Sequence, residues 1–317
     1  MSTKKKSRIH IDGDKLVLIA AIIVVFALFT CLNKNFLSVT NMINILIAAS
    51  LVGMVAVGHT YLIIAGQNDL SPGSLAAFSG VVAALLVSKG LPFAAAVIVT
   101  IVCGAAVGFF NAFMVNKIHL EAFIATLVTQ SIIRGFAYII CGGKPVSISN
   151  KTFLLLGKAR ILNIPVSVWI MIICIVVFGI ILAKTKFGRS VYAIGGSMDA
   201  ARLAGLNPKK IITTCYVMMG ILCSIGGIIF AARMNSGQPA ANVNLEFDAI
   251  TAVILGGVSF VGGTGKISGI VIGVLLLQII FAGLNFLSVS ANMLYIIKGL
   301  IILIACAIDM RKYLVKK

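Results

Sequence analysis

The 317-residue chain is 60% hydrophobic and 11% charged, with 26 Lys and Arg against 8 Asp and Glu and a mean hydropathy of +1.13. Soluble domains carry about 25% charged residues, so the composition excludes a soluble fold and indicates one polytopic, all-α membrane domain; a lipid-exposed sheet is excluded because its edge groups would go unpaired. The formal net charge of +18 marks topology and contact with anionic lipid and not nucleic-acid binding, because the basic residues form no stripe interleaved with aromatics.

A basic N-terminal tail, 1–14, leads into the first apolar run, and no small-residue cleavage site follows that run, so the segment is not read as a cleavable signal. A helix needs about 20 apolar residues to cross a bilayer. Ten spans are predicted inside a single transmembrane domain, 15–310: 15–33, 41–65, 72–88, 92–116, 120–141, 164–184, 211–232, 246–262, 268–287 and 290–308. A tail, 311–317, follows. With the N-terminus inside, 17 Lys and Arg fall on the inner side and 7 on the outer, and Arg134 and Lys298 lie within spans. This bias satisfies the positive-inside rule. It puts both termini and the loop 184–210 in the cytoplasm and 142–163 outside.

The segment Gly66-Gln67-Asn68-Asp69-Leu70-Ser71-Pro72-Gly73-Ser74 separates the second and third spans. Ser71 is placed to cap a helix whose first residue is Pro72, and Asp69 precedes the positive end of that helix. Non-helical backbone at membrane depth is tolerated only where it is buried or lines a cavity. Asn68, Asp69 and Ser71 are therefore candidates for a substrate path; an ordinary capped turn is the alternative. Arg134, a charge within a span, is a candidate by the same logic, with structural pairing as its alternative. Snorkelling is the alternative for Lys298. Glu121, Glu246 and Asp248 stand near helix N-termini, where the dipole favours acids, and read as structural.

Between two long apolar runs lies a polar, basic loop, FGRSVYAIGGSMDAARLAGLNPKK. In it Asp199-Ala200-Ala201-Arg202 followed by Gly205 reads as a short helix closed by glycine at the membrane surface. That is a surface for a cytoplasmic partner to grip; a solvated basic connector is the plainer reading. Gly256-Gly257 and Gly262-Gly263-Thr264-Gly265 form a second glycine-rich break, placed like the first between an inward and an outward span, which hints at an internal repeat. The GxxxG pairs Gly104/Gly108 and Gly269/Gly273 read as close helix packing. The seven cysteines and three histidines are scattered without metal-ligand spacing, so no metal is expected.

Four segments resemble the membrane-spanning permeases of bacterial ATP-driven (ABC) sugar importers of the ribose, galactose and autoinducer type. GQNDLSPGS (66–74) is similar to that family's Gly-Gly-x-Asp-Leu-Ser-x-Gly motif, although Gln67 and Asn68 stand where small or apolar residues are commoner. FIATLVTQSIIRG (123–135) with GKPVSIS (143–149) is similar to its fifth span and outer loop. Residues 187–211 resemble its cytoplasmic coupling loop, and 245–269 its eighth-span region. The resemblance implies a homodimer of permeases in the bacterial inner membrane that moves ribose, a similar pentose or hexose, or a polyol-like ligand. It implies a cytoplasmic ABC ATPase, holding ATP-Mg, seated on Asp199, Ala200, Ala201, Arg202 and Gly205. It also implies a periplasmic or lipid-anchored sugar-binding protein, and no cofactor or catalytic residue in this chain. Two other classes remain. An ion-coupled secondary transporter would need an ion site, for which Asp69 is the lone candidate. A membrane enzyme would need a clustered catalytic set.

Overall fold

The computed structural model describes residues 13–315. Most of the N-terminal tail, including Lys4, Lys5, Lys6 and Arg8, lies outside the described residues, as do Lys316 and Lys317. In chain order the helices begin with α1 (Gly13–Leu32), a 3-10 turn (Lys34–Leu37), α2 (Val39–Ile64), α3 (Pro72–Ser88), α4 (Phe93–Asn116) and α5 (Ala122–Ile140). Then come β1 (Val146–Ser147), α6 (Lys151–Lys158), β2 (Arg160–Ile161), β3 (Ile164–Pro165) and α7 (Val166–Lys184). The chain continues through α8 (Lys186–Gly196), α9 (Met198–Leu203), α10 (Pro208–Met234), β4 (Ser236–Gly237), α11 (Leu245–Leu255), α12 (Ile267–Phe286) and α13 (Ala291–Val315). The strands are two-residue pairings, β1 with β4 and β2 with β3, both antiparallel. The fold is all-α and polytopic.

Among the described residues seven helices are long and apolar enough to cross a membrane: α2, α4, α5, α7, α10, α12 and the stretch Asn292–Arg311 of α13. The apolar stretch Leu16–Leu32 and α3 are shorter. The predicted eighth span, 246–262, is not continuous. Its helix, α11, has 11 residues and rises only about 16 Å, because Gly256 ends it and the chain then turns through Gly257 at φ +83°. α13 continues to Val315, so the predicted tail from 311 is a helical extension as far as 315.

Local chemistry sets the boundaries. Ser38 accepts the Asn41 N–H at the start of α2, and Asn207 accepts the Lys210 N–H ahead of Pro208 in α10. α2 and α10 run through the centre: 61% and 72% of their apolar windows are buried, against 22% for α4 and α5, which show lipid their outer faces. Both GxxxG pairs are packing seams. A Cβ on Gly108 would lie 2.2 Å from the Tyr216 carbonyl oxygen of α10, and one on Gly273 would lie 2.1 Å from that of Ala252 in α11. Helix backbones this close leave no room for a side chain.

Candidate functional site

The break after α2 is a buried polar network. Asp69 and Ser71 are 2% and 0% exposed. Asp69 Oδ1 accepts from the Ser71 N–H at 2.7 Å and from Ser71 Oγ at 2.6 Å. Ser71 Oγ in turn accepts from Asn111 Nδ2 of α4 at 3.0 Å. The Leu70 N–H donates to Thr126 Oγ1 of α5 at 3.0 Å, and Tyr216 Oη of α10 donates to the Asn68 carbonyl at 2.9 Å. Three helices therefore hold the irregular backbone, which satisfies the groups that α2 and α3 leave open. Ser71 does not cap α3 with its side chain. Its backbone is already helical, at φ −80° and ψ −15°, and its hydroxyl is drawn back to the Asp69 carboxyl oxygen at 2.6 Å.

Some polar groups at the break have no partner. The side-chain oxygens of Gln67, Asn68 and Asn111 are buried without a hydrogen bond among the described residues. Such groups are costly to leave empty.

Arg134 sits twelve residues along α5 from Ala122, about 18 Å up the helix. Its Nε donates to Ser74 Oγ at 3.1 Å, and its Nη1 donates to the carbonyls of Pro239 and Ala241, both at 2.7 Å. It thus clamps the first turn of α3 to the irregular segment 238–244. Beside it Glu246, 1% exposed, accepts from Gln130 Nε2 at 3.1 Å. Lys298 does not snorkel: its Nζ lies 2.8 Å from Asp248 Oδ2, so α13 is pinned to α11. Glu246 and Asp248 do occupy the first turn of their helix.

The inner loop folds as α8 followed by α9. Ser197 Oγ accepts the Ala200 N–H at 3.2 Å to start α9. At its end the Gly205 N–H bonds the Arg202 carbonyl and the Leu206 N–H bonds that of Ala201, with Gly205 at φ +83°. This double closure needs a left-handed residue, which glycine supplies without a Cβ penalty. Asp199, Ala200 and Arg202 are exposed, whereas Ala201 is turned inward at 4% exposure. Asp199 and Arg202 form only a loose solvent-exposed pair at 3.8 Å, of little energetic weight. The apolar Leu203 is 90% exposed.

α8 reaches the break directly. A Cβ on Gly195 would lie 1.6 Å from the Ile64 carbonyl oxygen at the end of α2 and 2.7 Å from the Gly263 nitrogen. The Gly263 N–H donates to that same Ile64 carbonyl at 2.9 Å. Tyr192 of α8 donates its hydroxyl to the Gly265 carbonyl at 2.7 Å; burial pushes its phenol above the ordinary range against the opposing effect of Lys266. Asp309 of α13 accepts from the Phe260 N–H at 2.8 Å and from Ser259 Oγ at 3.2 Å. The two glycine-rich breaks read from the sequence therefore meet each other, and the inner loop, at one junction.

Sequence reasoning placed Asn68, Asp69, Ser71 and Arg134, and the structure brings the first three together and joins Arg134 to Ser74 in α3's first turn. It missed Asn111, Thr126, Gln130 and Tyr216. The available signal was their polarity within otherwise apolar spans. Leu203 carried no signal, because a leucine in a short helix gives no sign of which way it faces.

The family described as branched-chain amino acid transport system / permease component matches residues 41–306. The L-arabinose transport system permease protein AraH of Escherichia coli (strain K12) is 38% identical over 310 residues, which cover 98% of this chain and 94% of that one. The ribose import permease protein RbsC of Escherichia coli (strain K12) is 40% identical over 296 residues, 92% of each chain. The L-arabinose ABC transporter permease protein AraH of Azospirillum brasilense is 35% identical over 292 residues, 92% of this chain and 86% of that one. No solved structure matches at a significant level.

Proposed function

The chain belongs to the permease-component family of bacterial transport systems, and on that premise we propose that it is the inner-membrane subunit of an ATP-driven monosaccharide importer, with pentoses such as ribose or arabinose as substrates. Its relatives carry those sugars in their names, and a neutral sugar requires no ionised site. Both termini and α8–α9 lie in the cytoplasm. Two copies enclose the path within lipid. A separate ABC ATPase hydrolyses ATP-Mg against α9, and a periplasmic or lipid-anchored binding protein delivers the sugar to the opposite face.

The observation that carries this reading is the backbone junction of Gly195, Ile64 and Gly263. An ATPase that grips α9 moves α8 with it, because Ser197 alone separates the two helices. α8 has no side chain at Gly195 to cushion the contact, so its displacement passes to the end of α2 and to the second break. The segment 66–71 then shifts as a unit, since Asp69 and Ser71 lock its turn. This is alternating access by rigid-body motion of packed helices. Asn68, Asp69, Ser71 and Arg134 border the path in this mechanism. The unpaired oxygens of Gln67, Asn68 and Asn111 supply acceptors for sugar hydroxyls or for the waters that replace them.

The test is co-purification and energetics together. The complex should retain an ATPase, and pentose uptake in cells should survive collapse of the proton gradient while failing on ATP depletion. Uptake that stops when the gradient collapses, with ATP intact, would favour an ion-coupled carrier.

A further inference from the structure

The end of the fold opposite α8 and α9 carries an open cleft. α13 packs chiefly on α11, not on α12 or α2. The space left is about 310 Å³, walled by α2, α10, α11, α12 and α13 and by Asn242 of the irregular segment. Ligand sites begin near about 300 Å³. The cleft shares no residue with the Asp69 network.

Its mouth is polar and basic. Arg233, in the last turn of α10, is exposed and has no ion pair or hydrogen bond among the described residues. Asn285, near the end of α12, is a second exposed lining residue. Asn242 Nδ2 is buried without an acceptor. The carboxylates at this end offer nothing to balance Arg233: Glu246 is 1% exposed, and Asp248 is held by Lys298 at 2.8 Å. A cation suits the last turn of a helix, but that accounts for neither the empty donor of Asn242 nor the cleft.

Further in, the wall is apolar, with Leu51 of α2, Phe230 of α10, Phe281 of α12 and Leu294 of α13. Leu51 stands twelve residues into α2, about 18 Å from its start, whereas Arg233 and Asn285 each stand one residue from the end of their helices. The Lys298 ammonium, paired with Asp248, lies 4.5 Å from the centre of the Phe281 ring, so its charge is already compensated.

A cationic mouth above an apolar wall selects an amphiphile with one negative charge. A free phosphate would give up its water for a single cation and leave the apolar wall bare. A head group with an added ammonium would set it near Arg233, with no free carboxylate to receive it. An uncharged lipid would leave Arg233 unpaired. A phosphodiester presents two oxygens to the guanidinium fork and accepts from the amides of Asn285 and Asn242. Its acyl chains cover the apolar wall and run on along the lipid-facing side of α13.

We infer that this cleft binds one anionic phospholipid in each permease copy, with the phosphate at Arg233 and the tails between α12 and α13. The assignment holds whichever solute the chain moves.

Native mass spectrometry of the delipidated permease in detergent, titrated with phosphatidylglycerol, tests it. The wild type should take up one phosphatidylglycerol per chain and bind phosphatidylethanolamine at least tenfold more weakly. Arg233→Gln, at an exposed position that does not endanger folding, should weaken phosphatidylglycerol binding at least tenfold. Leu294→Trp, which fills the cleft from α13, should do the same. Lys89→Gln removes an exposed cation outside the cleft and should leave binding unchanged. Glycerol 3-phosphate, which has the phosphate without the tails, should not compete. Undiminished binding by either cleft variant, equal binding of the two lipids, or displacement by glycerol 3-phosphate would each overturn the site. So would oxidative cross-linking of Leu294→Cys between two copies in a cysteine-free background, which would put a second permease in the cleft.

Discussion

Gly195→Ala tests the junction most directly. In the present geometry its Cβ would stand 1.6 Å from the Ile64 oxygen, whereas ordinary contact begins at 3.4 Å. α8 and the end of α2 would have to separate by roughly 2 Å, since neither neighbour is a side chain that can swing away. Overpacking of this kind costs about 1–3 kcal/mol. The separation also strains the Gly263–Ile64 hydrogen bond, worth about 1 kcal/mol. If that strain opposes the coupled state, at about 1.4 kcal/mol per factor of ten, uptake falls roughly ten- to a hundredfold. The neighbouring Gly196→Ala is the control: its Cβ would meet nothing within 4 Å and its backbone is not left-handed, so its uptake should stay within about twofold of wild type. The assay is ATP-driven pentose uptake in proteoliposomes, alongside ATP hydrolysis and gel filtration of the complex. The expected signature is an intact complex that hydrolyses more ATP per sugar moved. Wild-type uptake and stoichiometry in Gly195→Ala would refute the idea that α8 drives the break through this contact.

Gly205→Glu should abolish recovery of the ATPase in a pull-down while the permease still inserts, and Leu203→Asp should do the same without touching the left-handed turn; retention of the ATPase by both, with normal uptake, would remove α9 as its seat. Asp69→Ala removes the acceptor for two buried hydrogen bonds and should lower stability by about 1–3 kcal/mol, seen as a depressed melting temperature in detergent. Asp69→Asn keeps an oxygen at that position, so it should lose less uptake than the alanine variant and show unchanged H⁺ and Na⁺ dependence; a changed ion dependence would favour a secondary carrier. In a cysteine-free background Lys144→Cys should react with an impermeant thiol reagent from outside and Leu203→Cys only from inside. The reverse pattern would invert the topology.

Nine of the ten predicted segments fall on helices of similar bounds because apolar runs of membrane length are hard to mistake, and the glycine seams were legible because a small residue every fourth position has few other uses in a helix. α11 was not. Its sequence stays apolar past Leu255 as far as Val261, which hid the stop made by Gly256, packed on Gly269, and Gly257 at φ +83°. Ser71 followed by Pro72 has the pattern of a cap, yet a carboxylate two residues back competes for the hydroxyl, and sequence spacing alone does not rank two acceptors. Lys298 looked free to reach the surface because Asp248 is 50 residues away in the chain and only the fold brings them together. The inner helix was legible from Asp199 to Gly205, but not that it touches the glycine-rich break near 263. That contact is between backbones and leaves no side-chain signature.

The Arg134 clamp also bears on how the protein is made. α11 has 11 residues, with Glu246 and Asp248 in its first turn, too short and too charged to enter a bilayer on its own merits. The irregular stretch before it carries carbonyls that lipid cannot satisfy. Arg134 emerges from the ribosome about a hundred residues earlier, already carried by α5, with donors for Pro239 and Ala241. This order follows for biogenesis: α5 is placed first, and the 235–255 region docks afterwards beside α2, α3 and α12, as a folding step inside the membrane and not as an insertion event. Nascent chains stopped before α12 would leave that region open to proteolysis, and an Arg134→Leu chain would leave it open even at full length.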